Sequence, residues 1–222
     1  MNKDTFVDES VFKHPFTCLV TGPSKSGKST LLNKILQMNQ ILIDKNIDKI
    51  VYCYTRWQEA YNTELSNVYP KIEFKLGLPE MEEFDSNKNN LVIMDDLMQE
   101  AGNDNTIYNL FTVDSHHKNI SVFFLTQNIF PKEKNARTIS LNCNYIILLN
   151  NPRDKAQVSY LGRQMFPEHS KYFNEAFKDA VDSVKYGHLL VDLSQTTDNK
   201  YRLQTNICSM ENKGRIFYIQ KD

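Results

Sequence analysis

Short apolar runs recur along this chain, and each is followed by polar or mixed sequence. Runs of four to eight residues rich in β-branched and aromatic side chains are typical of buried strands. The predicted strands are Phe16–Thr21, Lys49–Tyr54, Leu91–Asp95, Ser121–Thr126, Tyr145–Leu149, His188–Leu193, Tyr201–Ile207 and Ile216–Gln220, with a further extended piece at Ile72–Leu78.

Between these runs, apolar residues recur at helical spacing. The pattern is clearest in Ser170–Val184, where apolar positions three and four residues apart define one face of a helix that packs on the core. Buried strands that alternate with helices predict an α/β fold with a mainly parallel central sheet and helices on both faces. The other predicted helices are Ser29–Gln40, Thr106–Val113, Lys132–Ser140 and Asp154–Met165.

Length and charge limit the classes of protein that remain. A chain of 222 residues without repeats, low-complexity runs or linkers predicts one domain, residues 1–222. Within it, residues 1–15 form an N-terminal arm and residues 185–222 a β-rich extension. The charges are 26 basic and 27 acidic, a formal net charge of −1. This balance excludes a uniformly cationic nucleic-acid binder, so any contact with DNA has to come from a local patch.

Neither the apolar runs nor the cysteines indicate export. No run approaches the length of a membrane span, and the first residues contain no signal peptide. The cysteines stand singly, without the spacing of a metal site, and are interpreted as buried thiols in a reducing compartment. We therefore predict a protein that is neither secreted nor membrane-bound. The four are Cys18, Cys53, Cys143 and Cys208.

A phosphate-binding motif follows the first predicted strand. The segment GPSKSGKS over residues 22–29 matches G-x-x-x-x-G-K-[ST] and opens a predicted helix, as the motif requires. Its glycines let successive backbone N–H groups point at phosphate oxygens, and Lys28 would neutralise the β- and γ-phosphates. The Ser29 hydroxyl would be a ligand of Mg²⁺. The predicted nucleotide-binding residues are Gly22, Pro23, Ser24, Lys25, Ser26, Gly27, Lys28, Ser29 and Thr30.

Two adjacent carboxylates end the strand Leu91–Asp95. In an open α/β sheet, ligands bind at the carboxyl ends of the strands. We therefore expect Asp95 to hold Mg²⁺ together with Ser29, and Asp96 to act as the general base toward an attacking water. The alternative for Asp96 is that it only caps the following turn.

A third polar group, Gln127, directly follows the strand Ser121–Thr126. At the end of a buried strand beside a nucleotide site, its amide can hydrogen-bond the attacking water or contact the γ-phosphate. The alternative is an ordinary amide at the junction of a strand and a loop.

These motifs, in this order, resemble the FtsK/HerA superfamily within the ASCE division of P-loop NTPases. The chain looks most like the genome-packaging ATPases of poxviruses, virophages and polinton- or adintovirus-like elements. The resemblance covers residues 14 to 207. The segments that carry it are HPFTCLVTGPSKSGKST (14–30), LVIMDDL (91–97), SVFFLTQNIFP (121–131), NARTISLNCNYIILLNNPRD (135–154) and HLLVDLSQTTDNKYRLQTNI (188–207).

The resemblance implies a sheet in which the glutamine strand lies between the strands of the phosphate loop and of the acidic pair. It also implies a hexameric ring that uses ATP and Mg²⁺ to thread double-stranded DNA into a capsid. A capsid or genome-terminal protein would be a further partner. The protein would act in the host cell, in a cytoplasmic factory or the nucleus, and would associate with the virion.

In such rings, an arginine of one subunit reaches the γ-phosphate bound by its neighbour. Arg137 matches that position best, with Arg153 and Arg56 as weaker candidates, and a surface ion pair is the alternative for each. Cations that would face DNA are Lys118, Lys132, Lys134, Lys213 and Arg215.

Other interpretations of single motifs are weaker. Adjacent histidines on a helix point apart, so His116 and His117 do not predict a metal site. Trp57 and the tyrosines of Tyr52–Tyr61 favour packing over stacking on a base. Two other functions stay open: a P-loop phosphotransferase that acts on a small molecule, and an assembly subunit gated by nucleotide.

Overall fold

The strands form one sheet within the part of the chain that the computed structural model describes, which is residues 1–6, 10–59, 65, 72–97, 105–130, 136–209 and 214–220. The central strands are buried along almost their whole length, as their apolar sequences predict. The strands are β1 (Asn2–Phe6), β2 (Thr17–Thr21), β3 (Lys49–Tyr54), β4 (Ile72–Leu76), β5 (Asn90–Asp95), β6 (Ile120–Thr126), β7 (Tyr145–Leu149), β8 (His188–Asp192), β9 (Leu203–Thr205) and β10 (Arg215–Ile219).

Helices connect most of the parallel strands. A π-helical turn, Leu110–Asp114, joins α3 to α4, and 3₁₀ turns lie at Met81–Glu83 and Asn199–Tyr201. The helices are α1 (Lys28–Gln37), α2 (Asn39–Leu42), α3 (Thr106–Asn109), α4 (Ser115–His117), α5 (Ala136–Leu141), α6 (Ala156–Met165) and α7 (Ser170–Asp182).

The sheet has a parallel centre and an antiparallel flank. Its order is β1-β10-β9-β8-β7-β2-β6-β5-β3-β4. From β7 to β4 all pairs are parallel, whereas β8, β9, β10 and β1 add antiparallel pairs at the β7 edge. Strand β6 lies between β2 and β5, which is the arrangement that the resemblance implied.

Helices cover both faces of the sheet, as predicted. On one face, Leu32, Ile35 and Leu36 of α1 are buried against side chains such as Phe123. On the other face, α7 buries apolar residues that include Phe173 against a second core cluster. The periodicity of both helices therefore encodes a face that packs on the sheet.

Two boundaries differ clearly from the sequence prediction. Part of the predicted N-terminal arm, Asn2–Phe6, is the edge strand β1, which pairs antiparallel with β10. Pairing with a strand at the far end of the chain leaves no local signal. The predicted strand Tyr201–Ile207 shortens to Leu203–Thr205, because Asp198 accepts a hydrogen bond from the N–H of Lys200 and caps a 3₁₀ turn there. Of the helix predicted at Lys132–Ser140, residues 132–135 lie outside the described residues.

The cysteines match their interpretation as thiols. All four are free, and three are buried. Burial raises the pKa of Cys53 to about 12, so this thiol stays protonated at neutral pH. No helix among the described residues is both long enough and apolar enough to cross a membrane.

Candidate functional site

The candidate site lies where β2, β5 and β6 end. The loop of residues 22–27 connects β2 to α1, and the N–H of Gly22 donates a 3.2 Å hydrogen bond to the carbonyl of Thr126 at the end of β6. In the next pair of strands, Asp95 lies opposite Leu125. The register therefore brings the loop, the acidic pair and the residue after β6 together at the carboxyl ends of these central strands.

Both glycines of the loop are required by its geometry. Gly27 has φ of +100°, in the left-handed region that favours glycine. At Gly22 a Cβ atom would lie 2.7 Å from Oγ of Ser26 and 3.0 Å from Cβ of Leu149. The loop therefore curls tightly, which is the condition for its N–H groups to line a concave anion site.

Lys28, the first residue of α1, extends back over this loop. Its Nζ donates hydrogen bonds to the carbonyl oxygens of Gly22, at 2.6 Å, and Pro23, at 3.1 Å. Burial lowers the pKa of Lys28, and the charges of Asp95 and Asp96 oppose that effect. The ammonium group is thus within the field of both carboxylates and can neutralise a phosphate at the loop.

The two carboxylates have different surroundings. Asp95 is half-buried, and its Oδ2 accepts a 2.9 Å hydrogen bond from the hydroxyl of Tyr52 on β3. Asp96 is exposed, and its φ of 57° is a left-handed conformation that Asp and Asn tolerate better than most residues. The environments suit different tasks, a held ligand for Asp95 and a solvent-facing base for Asp96.

The donor set fits Mg²⁺ only in combination with phosphate oxygens. Mg²⁺ is usually held by one or two carboxylates together with substrate phosphates and water. Asp95 and the exposed hydroxyl of Ser29 are the matching side chains, and Thr30 follows on the same exposed helix start. The described residues contain no cluster of three or more ligating acids, histidines or cysteines.

Gln127 lies at the end of β6, as predicted, and its side chain is exposed. It lines the same small pocket as Gly22. The preceding Thr126 donates from Oγ1 to the carbonyl of Asn128 at 2.9 Å, which fixes the backbone around Gln127.

Gln157 on α6 is a functional candidate that the sequence analysis missed. Its Oε1 accepts hydrogen bonds from the N–H groups of Ile129, at 2.8 Å, and Phe130, at 3.2 Å. Its Nε2 donates to Oδ2 of Asp154 at 2.7 Å and to Oδ1 of Asn128 at 3.3 Å. One amide therefore ties the loop after Gln127 to the segment after β7. No sequence motif marks this glutamine.

The candidate arginines lie on the surface. Arg137 is exposed in the first turn of α5, and Arg56 and Arg153 are exposed in loops. Among the described residues, Arg137 forms no ion pair. An exposed guanidinium is available to a second molecule, whereas one buried in an ion pair is not.

The cations proposed to face DNA are only partly described. Lys132, Lys134 and Lys213 lie outside the described residues. Lys118 donates from Nζ to the carbonyl of Met81 at 3.2 Å, and Arg215 lies 4.8 Å from the ring of Phe217.

Trp57 packs, as favoured by its sequence context. Its ring meets those of Tyr54, at 5.4 Å between centroids, and Phe74, at 5.3 Å, in edge-on geometry. His116 and His117 are exposed and belong to no metal-ligating cluster among the described residues.

Comparison with known proteins supports the fold assignment. No protein-family model matches the sequence, and no curated protein matches it. Among solved structures, the genome packaging NTPase B204 from Sulfolobus turreted icosahedral virus 2, in complex with ATP-gammaS, has a TM-score of 0.50 at 15% identity, covering 82% of this chain and 94% of its own. The N-terminal domain of zonular occludens toxin from Neisseria meningitidis has a TM-score of 0.38 at 21% identity, with 64% and 80% covered. A KaiC-like protein from Pyrococcus horikoshii has a TM-score of 0.46 at 9% identity, with 97% and 100% covered.

The likeness to the packaging NTPase shows the fold. The chain has the α/β fold of the P-loop NTPases of the ASCE division, with a mostly parallel central sheet. Within that fold, it shares structural similarity with a viral genome packaging NTPase.

Proposed function

We propose that this protein is an ATPase that drives double-stranded viral DNA into a capsid. The observation that carries the proposal is the position of β6 between β2 and β5. This order brings Gln127, the acidic pair and the phosphate loop together at the carboxyl ends of the three strands. A similar fold in a packaging NTPase solved with an ATP analogue supports it. So does the order of the motifs along the chain.

In this proposal each residue has a separate task. The loop N–H groups and Lys28 bind the β- and γ-phosphates, and Ser29 with Asp95 would hold Mg²⁺, which supplies charge neutralisation when bound. Asp96 accepts a proton from the attacking water, which Gln127 orients. Since water is the acceptor, the reaction is hydrolysis and not transfer to a small molecule.

We further propose how the subunits assemble and where the protein works. Subunits form a homo-oligomeric ring, with six subunits as the resemblance to the FtsK/HerA superfamily implies. In this ring, Arg137 of one subunit stabilises charge on the γ-phosphate bound by the next. A capsid or genome-terminal protein sets the direction of transport. The protein works in the infected host cell, in a cytoplasmic factory or the nucleus, and associates with the virion.

The testing experiment measures steady-state phosphate release from ATP with and without long double-stranded DNA, with Lys28→Ala as the blank. A DNA-dependent rise that is absent from the blank is the expected result, because motors couple turnover to their track. Turnover that ignores DNA would favour the phosphotransferase, and a panel of nucleosides as phosphate acceptors would test that alternative directly. The absence of any Lys28-dependent turnover would contradict the ATPase.

A further inference from the structure

The turn that contains Tyr186 has a backbone conformation that few types of residue adopt. The turn leaves α7 and enters β8, and Tyr186 has φ of 61°, an uncommon left-handed conformation for a bulky residue. The next residue is Gly187, where a Cβ atom would lie 2.4 Å from the carbonyl oxygen of Ala180. Strained backbone of this kind clusters at ligand sites.

The turn lays the tyrosine ring on the phosphate loop. A Cβ atom added at Gly27 would lie 2.6 Å from Cγ and 2.6 Å from Cδ1 of Tyr186. The residue nevertheless remains 43% exposed. An aromatic ring thus contacts the backbone that begins α1 and still presents surface to solvent. No motif of the proposed ATPase uses it.

Tyr186 lines two pockets. One, of about 420 Å³, is lined by Pro23–Ser26 of the phosphate loop. The other, of about 290 Å³, is lined by Thr30, Leu31 and Lys34 of α1 together with His188 of β8. Since Thr30 directly follows the loop, the second pocket begins where the predicted phosphate site ends.

The walls of the second pocket suit a planar, polar ligand. Lys34 and Lys185 line it, and Nζ of Lys185 lies over the Tyr186 ring at 5.1 Å from its centre, so a stacking base takes the place of this ammonium group. His188 is buried, and neither ring nitrogen has a well-aligned hydrogen-bond partner among the described residues. Burial lowers the pKa of His188 to about 4, so this wall is neutral at pH 7. The lining also contains the ion pair between Lys3 and Asp179, at 2.7 Å. A flat base would therefore meet an aromatic surface, polar edges and paired charge.

We propose that this pocket binds the base and ribose of the nucleotide, with Tyr186 as the surface on which the base stacks. The inference rests on the proposed function, because it assigns the phosphates of the same ligand to residues 22–29. Stacking on an aromatic side chain tolerates any base, so Tyr186 contributes affinity for a nucleoside without choosing between adenine and guanine.

The test separates the base from the phosphates. Affinities for MgATP and for magnesium tripolyphosphate are measured by calorimetry for the wild type, Tyr186→Asn and Tyr186→Phe. Asn removes the ring but tolerates the left-handed backbone, and Phe keeps the ring. We expect Tyr186→Asn to weaken MgATP about tenfold or more and to leave tripolyphosphate within about twofold, while Tyr186→Phe resembles the wild type.

A second pair of variants acts from the opposite wall and does not depend on the strained turn. Lys34→Trp fills the pocket from an exposed position on α1, and Lys34→Gln removes the same charge without filling it. We expect only Lys34→Trp to weaken MgATP selectively. Equal losses of affinity for MgATP and for magnesium tripolyphosphate would contradict the assignment of this pocket to the base. So would unchanged affinities in both the Tyr186 and the Lys34 variants. If Lys28→Ala binds tripolyphosphate as well as the wild type does, the phosphate site itself fails, which is a different result.

Discussion

The hydroxyl of Tyr52 on β3 donates a 2.9 Å hydrogen bond to Oδ2 of Asp95 at the end of β5. Tyr52 is almost fully buried, so this bond holds one carboxylate oxygen of Asp95 in a fixed position. A ligand carboxylate that is oriented by a neighbouring donor binds metal more tightly than a mobile one.

Replacing Tyr52 by Phe therefore tests the metal site without touching a proposed ligand. We expect the Mg²⁺ concentration for half-maximal ATP turnover to rise about tenfold. The free energy of unfolding should fall by about 2 kcal/mol, the usual net value of a hydrogen bond to a charged group. Tyr145→Phe is the matched control, because its buried hydroxyl accepts a bond from the N–H of Lys13 instead. Equal Mg²⁺ requirements in both variants would show that Tyr52 does not orient a metal ligand.

Asp96→Asn tests the general base. Asn tolerates the φ of 57° at this position, so the substitution removes the charge and leaves the backbone unstrained. We expect ATP affinity to change little and kcat to fall by about a hundredfold or more, because a positioned base contributes about that much. The measurement is single-turnover hydrolysis beside equilibrium binding. Wild-type turnover in Asp96→Asn would leave Asp96 with the role of a turn residue.

Arg137→Ala tests action between subunits. We expect turnover to fall by about a thousandfold, because an arginine finger supplies rate enhancements of that order. Mixing Arg137→Ala with Asp96→Asn subunits should restore part of the activity, since some interfaces then join an intact Arg137 to an intact Asp96. Arg153→Ala, also exposed, is the control. Mixed rings without rescue would identify Arg137 as a structural residue.

Gln157→Glu tests whether the bonds to the loop after Gln127 matter for turnover. The variant keeps an acceptor for the N–H groups of Ile129 and Phe130 but replaces the donor to Asp154 by a second carboxylate. We expect kcat to fall about tenfold with KM nearly unchanged, because binding of the phosphates does not use this loop. Gln127→Ala should show the same pattern. A loss confined to KM would exclude a positioning role for Gln157.

His188 predicts a pH dependence of stability. Burial, with a smaller contribution from Lys34, lowers its pKa from the ordinary 6.5 to about 4 in the folded protein. The unfolded chain therefore binds more protons between these values, and this contribution to stability is complete above pH 6.5 and lost as the pH falls toward 4. From pH 7.5 to pH 5 it amounts to about 2 kcal/mol.

Urea unfolding at those two pH values measures the effect. His188→Gln should lose that part of the pH dependence, whereas the exposed His117→Gln should keep it. An identical slope in wild type and His188→Gln would mean that His188 does not titrate with folding.

Much of the fold and of the candidate site could be predicted from the sequence, because the signals are local. An apolar strand, two glycines at fixed spacing, a lysine and a helix all lie within residues 16–40, and each constrains its neighbours directly. The acidic pair and Gln127 each end a buried strand. In a parallel sheet the carboxyl ends of all strands lie on the same side of the sheet, so the prediction of parallel strands alone implies that these groups are near one another. The sheet centre and the helices on both faces follow from the same periodicities.

Long-range pairing could not be predicted, because no periodicity encodes which distant segments meet. The strand β1 pairs with β10 at the other end of the chain, and Gln157 contacts the loop after β6 from a helix 27 and 28 residues further on. Tyr186 contacts Gly27 across most of the chain.

The sequence by itself thus determined which residues are the candidates for the phosphate, acid and amide positions, since those motifs combine residue type with spacing. Only the tertiary structure decided which residues support them. These are Tyr52, which is hydrogen-bonded to Asp95, Gln157, which is hydrogen-bonded to the loop after Gln127, and Tyr186, which contacts Gly27. The physical reason is that a motif is fixed by backbone geometry over a few residues, whereas these supporting contacts arise only when the packed sheet and helices bring distant side chains together.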